Sequence, residues 1–176
     1  METNLRYRNE DDRCYGATGM TVALVVMEGE DLLSAVNLDA ENADGLIEYA
    51  GEYFFNGNPG LSAKSAWNTI LKHFNCSMAA AIGNVMCRRY ILDRERMDDT
   101  TKKFLLKLMI EEGHDTCDLD DDETRRLFDK NFVYLTRVFT HQGVQSVCHD
   151  FADVLKRRRR MSRLDILEQL RSLRML

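Results

Sequence analysis

Turn-forming residues are scarce in this chain of 176 residues, which has one proline and ten glycines. All-β sandwiches and barrels need frequent tight turns, and such turns depend mainly on these residue types. Long helices joined by short connections need far fewer of them. Hydrophobic residues make up 44% of the sequence and charged residues 30%, as in an ordinary globular protein. The composition therefore predicts a mainly all-α fold.

The chain also has no long hydrophobic run and no disulfide pattern. Its longest apolar run, residues 20–27, is far short of the roughly 20 residues that cross a bilayer, so we expect no membrane partner. The five cysteines are scattered, odd in number and never spaced as C-x-x-C, unlike those of a secreted disulfide framework. The polar segment 1–12 does not resemble a signal peptide. These features favour a cytoplasmic protein.

Apolar residues recur with helical spacing from residue 46 onward. The pattern predicts an irregular bundle of six or seven helices, which we assign to a single domain over residues 18–176. The first of these helices is predicted over 46–54, and the only proline follows it in the turn 56–60. Residues suited to N-capping precede later helices, with a capping box at the third; they are Ser62, Asp98 or Asp99, Asp120 with Glu123, and Ser162.

The segment before residue 46 is harder to interpret. Residues 1–17 are polar and predict a poorly ordered tail. Residues 20–38 fit helical spacing, but their two apolar runs also fit the strands of a β-hairpin, because periodicity does not separate short apolar runs. We favour helix here and keep a short N-terminal β-hairpin within 20–38 as the alternative.

A tight turn is predicted at Asn75-Cys76-Ser77, between two helical segments. This arrangement raises the hypothesis of a helix-turn-helix DNA-binding unit. The second helix would begin Met78-Ala79-Ala80, however, and these side chains offer almost nothing that can hydrogen-bond a base edge. Ordinary packing of two helices is the better interpretation.

The strongest charge feature is a basic run near the C-terminus. Eight basic and four acidic residues give residues 144–176 a net charge of +4, which leaves −9 for the rest of a chain whose total is −5. Such a run can contact phosphates, or it can pair with acids of the same fold, for which 111–129 is the obvious acidic segment. The candidate residues for binding phosphate or an acidic partner are Lys156, Arg157, Arg158, Arg159, Arg160 and Arg163.

Two sets of apolar residues are candidates for a protein interface. Ile166, Leu170 and Leu173 form the apolar side of an amphipathic C-terminal helix. Phe55 lies beside, rather than on, the apolar side of the helix predicted over 46–54. Aromatic residues placed in this way are enriched at protein interfaces.

Motifs of catalysis and metal binding give no specific signal. The sequence contains no G-x-x-x-x-G-K-[ST], G-x-G-x-x-G, H-E-x-x-H or G-x-S-x-G motif. The spacings of its His and Cys residues match no known zinc site, so we expect no cofactor and do not favour an enzyme. The leading hypothesis is a small helical protein that acts through protein–protein contacts, most simply as a homo-oligomer. The alternative is a nucleic-acid-binding regulator that uses the basic run.

Overall fold

The structure, a computed structural model, describes residues 5–51 and 62–175. Within these ranges the chain forms six α-helices and a small three-stranded antiparallel sheet, which confirms the mainly helical fold. The helices are α1 (Glu10–Val26), α2 (Ala63–Met86), α3 (Asp99–Cys117), α4 (Asp121–Thr140), α5 (Gln142–Arg158) and α6 (Arg163–Gln169). The strands are β1 (Leu33–Asn37), β2 (Ile47–Tyr49) and β3 (Arg160–Ser162), and a π-helical segment, Cys87–Asp93, continues α2.

Helices α1 and α2 run in opposite directions and approach closely through glycine. A Cβ atom added to Gly83 would lie 2.6 Å from the carbonyl oxygen of Gly19 and 2.6 Å from the methyl group of Ala23. A Cβ on Gly19 would meet the Gly83 backbone even more closely. The two backbones therefore touch here, and no larger residue fits between them. The remaining helices pack around this pair, with Phe128, Phe139 and Phe151 among the largest fully buried side chains.

The local signals for helix starts are confirmed. The predicted capping side chains accept hydrogen bonds from backbone N–H groups in the first turns of α2, α3, α4 and α6, and α4 has the predicted capping box. The donors are Ser65 N to Ser62 (3.2 Å), Thr101 N to Asp98 (2.8 Å), Glu123 N to Asp120 (2.8 Å) and Asp165 N to Ser162 (3.3 Å).

The turn predicted at Asn75-Cys76-Ser77 is wrong, and the helix-turn-helix hypothesis fails with it. Helix α2 continues without interruption from Ala63 to Met86. Asn75 has a partner outside its own helix, because its Oδ1 accepts a hydrogen bond from Asn131 Nδ2 of α4 at 2.8 Å. Cys76 and Met78 are buried in the core. A polar pair between neighbouring helices, rather than a break in one helix, explains these residues.

The region 20–49 combines helix and strand in an order that neither interpretation of the sequence predicted. Residues 20–26 belong to α1, whereas 33–37 form the central strand of the sheet. The favoured helix is thus confirmed at 20–26 and wrong at 33–37. The alternative hairpin is wrong in its first strand, because β1 pairs with β2 on one side and β3 on the other. The helix predicted over 46–54 is wrong at residues 47–49, which form β2 instead; residues 52–54 lie outside the described ranges.

The poorly ordered tail predicted over 1–17 is wrong from residue 10 onward, where α1 begins. A buried ion pair fixes this part of the chain. Arg88, next to α2 in the π-helical segment, donates two 2.7 Å hydrogen bonds to the fully buried carboxylate of Asp12. The same guanidinium donates to the carbonyl oxygens of Leu5 and Arg6, and Arg8 adds a second cation beside Asp12.

Gly19→Ala should destabilise the fold even though alanine is the better helix former. The helix propensity of alanine favours the variant by about 1 kcal/mol, whereas the overlap with the Gly83 backbone costs about 3 kcal/mol or more. Urea unfolding should show the net loss. Gly51→Ala is the control, because its added Cβ would have nothing within 4 Å, and a similar loss there would contradict this account.

Asp12→Ala should lower the free energy of unfolding by about 3–5 kcal/mol at neutral pH, because it leaves the buried Arg88 without its partner. Burial opposes the charge of Asp12, but hydrogen bonds from Arg88 and Arg8 outweigh it and hold the pKa of this carboxyl well below its usual range. The stabilisation is therefore complete above the unfolded-state pKa of about 3.9 and is lost as the pH falls below it.

Urea unfolding of wild type and Asp12→Ala over a range of pH checks both statements, since the difference between them should shrink in acid. Asp11→Ala is the matched control. Asp11 pairs with Lys156 at an exposed site, where an ion pair contributes about 1 kcal/mol at most. Equal losses in the two variants would show that burial of the Asp12 pair does not matter.

Candidate functional site

The predicted basic run lies at the end of α5 and the start of β3, next to acids from the N-terminal third of the chain. Arg159 donates to Asp39 and to Glu10, at 2.6 Å in each case. Arg160 reaches across β1 to form two hydrogen bonds with Glu48 of β2, at 2.9 and 2.5 Å. These contacts tie the C-terminal basic residues to α1 and to the sheet.

The other members of the run also have partners. Lys156 pairs with Asp11 at 2.5 Å and Arg158 with Asp165 at 3.0 Å. Arg157 and Arg163 donate to the backbone carbonyl oxygens of Asp153 and Asp31.

Internal pairing of the run is therefore present, but the acidic segment expected to supply it is not involved. The acids come from the start of α1, from the sheet region and from α6, whereas acids of 111–129 pair with Lys102, Lys107 and His114 of α3. The hydrogen bond from Arg160 lowers the pKa of the Glu48 carboxyl, because it favours the charged form. A phosphate that binds the run must displace carboxylates that already occupy it.

The predicted C-terminal interface is wrong, because its residues belong to the core. Ile166, Leu170 and Leu173 are 0%, 1% and 8% exposed. Helix α6 turns its apolar side inward. Its polar residues and Leu164 face the solvent instead. Phe55, the other candidate interface residue, lies outside the described residues.

An apolar surface that the sequence did not reveal lies where the end of α1 meets α4. Val133 and Tyr134 are 53% and 42% exposed, and the Tyr134 hydroxyl donates to the carbonyl oxygen of Val26 at 3.2 Å. Cavities of about 320 and 530 Å³ flank Tyr134. We call the lining of these two cavities the Tyr134 surface; its residues are Val25, Val26, Met27, Glu28, Glu30, Lys130, Asn131, Tyr134 and Leu173.

Two opposite charges border the smaller cavity of the Tyr134 surface. Glu28 and Lys130 both line it, yet neither has an ion-pair partner in the described part of the chain. Glu28 has a left-handed backbone with φ of 56° directly after α1, which turns the chain at this edge. The sequence signal was the position of Val133 and Tyr134, which fall off the buried stripe formed by Phe128, Leu135 and Phe139.

The cysteine thiols are the remaining candidate nucleophiles, and their burial disfavours the reactive thiolate form. All five cysteines are free and buried. Burial raises the pKa of Cys14 to about 11, and burial together with Cys148 raises that of Cys87 far above its ordinary value. A nucleophilic thiol needs a lowered pKa, so Cys14 and Cys87 act as small apolar side chains. Among the residues that the structure describes, no group of three or more His, Cys, Asp or Glu is placed to hold a metal ion.

Comparison with known proteins does not assign a function. No family model, curated protein or solved structure matches this chain. Among the described helices, none is both long and apolar enough to cross a membrane. Two surface features stand out: the basic run, most of whose charges are compensated, and the Tyr134 surface, where Glu28 and Lys130 have no ion-pair partner among the described residues.

We expect the wild-type chain to bind nucleic acid weakly, and freeing the basic run should strengthen this binding. Asp39→Asn combined with Glu48→Gln leaves Arg160 without a carboxylate and Arg159 with Glu10 alone, so less negative charge competes with phosphates for the two guanidinium groups. Fluorescence anisotropy with duplex DNA at low salt should show tighter binding by this variant than by wild type.

The matched control is Glu41→Gln combined with Asp44→Asn, which makes the same change in net charge without removing a partner of either arginine. This control should behave like wild type. Tight binding by wild type, with an affinity that falls steeply as salt rises, would show that phosphates outcompete the internal carboxylates and would contradict the prediction.

Proposed function

We propose that this protein acts through protein–protein contacts and that its partner at the Tyr134 surface is a second copy of the same chain. One observation carries the proposal: Glu28 and Lys130, an acid and a base without ion-pair partners in the described residues, border the same apolar cavity. Because this surface carries an acid and a base at one cavity, the surfaces of two copies can pair acid with base.

A two-fold axis through the Tyr134 surface would satisfy both charges. In a two-fold contact, residue i of one copy meets residue j of the other, and j meets i. Glu28 of each copy would then face Lys130 of its partner, which forms two ion pairs at once. A heterologous partner would need to supply a matching base and acid independently.

The apolar content of the surface supports a protein partner. Tyrosine is enriched among the residues that dominate binding energy, especially where a cavity on the partner can receive it. Tyr134 stands between two cavities, and Val133 adds an exposed apolar side chain beside it. These side chains would form the centre of a contact, with Glu28 and Lys130 at its border.

Nucleic-acid binding through the basic run is the weaker alternative, because carboxylates compensate Lys156, Arg158, Arg159 and Arg160.

We also propose a cytoplasmic location. Its support is the set of five buried, unpaired cysteines, which suits a reducing compartment.

A mixture of two charge-reversed variants should associate better than either variant alone. Glu28→Lys places two bases at each contact and Lys130→Glu places two acids there, so each pure variant should dimerise about tenfold more weakly than wild type. When the two are mixed, both pairs across the two-fold axis again have opposite signs. Analytical ultracentrifugation with one variant fluorescently labelled measures the mixed dimer directly.

Glu111→Lys mixed with Lys107→Glu is the matched control, since this exposed pair lies on α3, away from the Tyr134 surface. The control mixture should show no preferential mixed dimer.

A Val133→Glu variant should also be monomeric, whereas Leu164→Glu, at an apolar residue that is 79% exposed on α6, should not differ from wild type. A wild-type chain that stays monomeric at millimolar concentration would refute the proposal.

A further inference from the structure

A cleft of about 440 Å³ lies between α2 and α3, on a part of the molecule that shares no residue with the Tyr134 surface. Its volume is within the range of small-molecule sites, roughly 300–1,000 Å³. Most of its lining is apolar. Its polar lining residues are Tyr7, Asp44, Tyr49, Ser77, Asn84 and Glu112.

Glu112 is the central polar group of this cleft. It is half-buried, and its Oε1 accepts one long hydrogen bond, 3.3 Å, from the Ser77 hydroxyl. Burial raises the pKa of Glu112, and the Ser77 hydroxyl only partly offsets this effect. No lysine or arginine among the described residues forms an ion pair with it. A carboxylate in such surroundings is stabilised by a cation that reaches it.

The charge of the whole lining has one sign. Glu112 and Asp44 are its acidic side chains, and none of the lining residues is Lys or Arg. Arg88 lies over the ring of Tyr7, 4.9 Å from its centre, but its charge is committed to Asp12. An anionic ligand would therefore meet repulsion, and a neutral one would leave Glu112 without a charged partner.

The opposite part of the cleft is held rigidly. Asn84 Nδ2 donates to the Tyr7 hydroxyl at 2.6 Å, and Arg88 fixes the segment before Tyr7 through the carbonyl oxygens of Leu5 and Arg6. Leu105, Leu108 and Met109 form the apolar wall on α3. A ligand here needs an apolar body of modest size as well as a charged group.

We propose that the cleft binds a small organic amine, with its ammonium group on the Glu112 carboxylate and its apolar body between α2 and α3. Ser77 also takes part in recognition, since its hydroxyl oxygen has lone pairs that can accept from the ammonium group while its proton stays on Glu112. This site is independent of the contact between copies and does not require it.

Phenethylamine, 2-phenylethanol and 3-phenylpropanoate serve as probes, because they share the phenethyl group and differ in the charge of the polar group. Isothermal titration calorimetry with the full chain at neutral pH should show the amine binding at least tenfold more tightly than the alcohol, and no binding of the carboxylate. Glu112→Gln should reduce amine affinity at least tenfold and leave the affinity for the alcohol unchanged.

Glu111→Gln, on the exposed side of the same helix, is the matched control and should bind the amine like wild type. Ala81→Leu, which fills the cleft from α2, should abolish binding of both amine and alcohol, and circular dichroism confirms that each variant is folded. Equal affinity for the three probes, or amine binding that survives both Glu112→Gln and Ala81→Leu, would overturn the proposal.

Discussion

The contact between the backbones of α1 and α2 at Gly19 and Gly83 sets the geometry of the rest of the molecule. Because neither position has room for a Cβ atom, the two helices are held at a fixed separation and register. That register places Arg88 against Asp12 and Asn84 against Tyr7. The core, the buried ion pair and the α2 side of the cleft between α2 and α3 all follow from one close approach.

The buried ion pair extends this constraint to both ends of the chain. Arg88 anchors the segment before α1, and the first turn of α1 then presents Glu10 and Asp11 at the surface. These acids meet Arg159 and Lys156 at the end of α5. The sequence is acidic in its body and basic near the C-terminus, and ion pairs within the fold bring these two regions together. The basic run therefore connects the end of α5 to α1 and to the sheet.

The parts of the fold that the sequence predicts are those decided by neighbours in the chain. Capping by Asp98, Asp120 and Ser162 needs only residues three positions away, and these helix starts were predicted correctly. The strand at 47–49 and the acids that pair with the basic run depend on partners far away in sequence. Helical spacing cannot show such partners, so a strand was predicted as helix and a buried face as an interface.

The same reasoning explains why the candidate sites were not visible in the sequence. A run of basic residues is conspicuous in a sequence, yet a folded chain tends to compensate it. A basic side chain at the protein surface is stabilised by Coulomb attraction to any carboxylate within reach. Functional charge is better sought where, among the described residues, a charged side chain beside apolar surface has no ion-pair partner. Glu28 and Lys130 meet this condition at the Tyr134 surface, and Glu112 meets it in the cleft. Each is a single, unremarkable residue in the sequence, and only the packing of the helices separates it from the many charges that are satisfied.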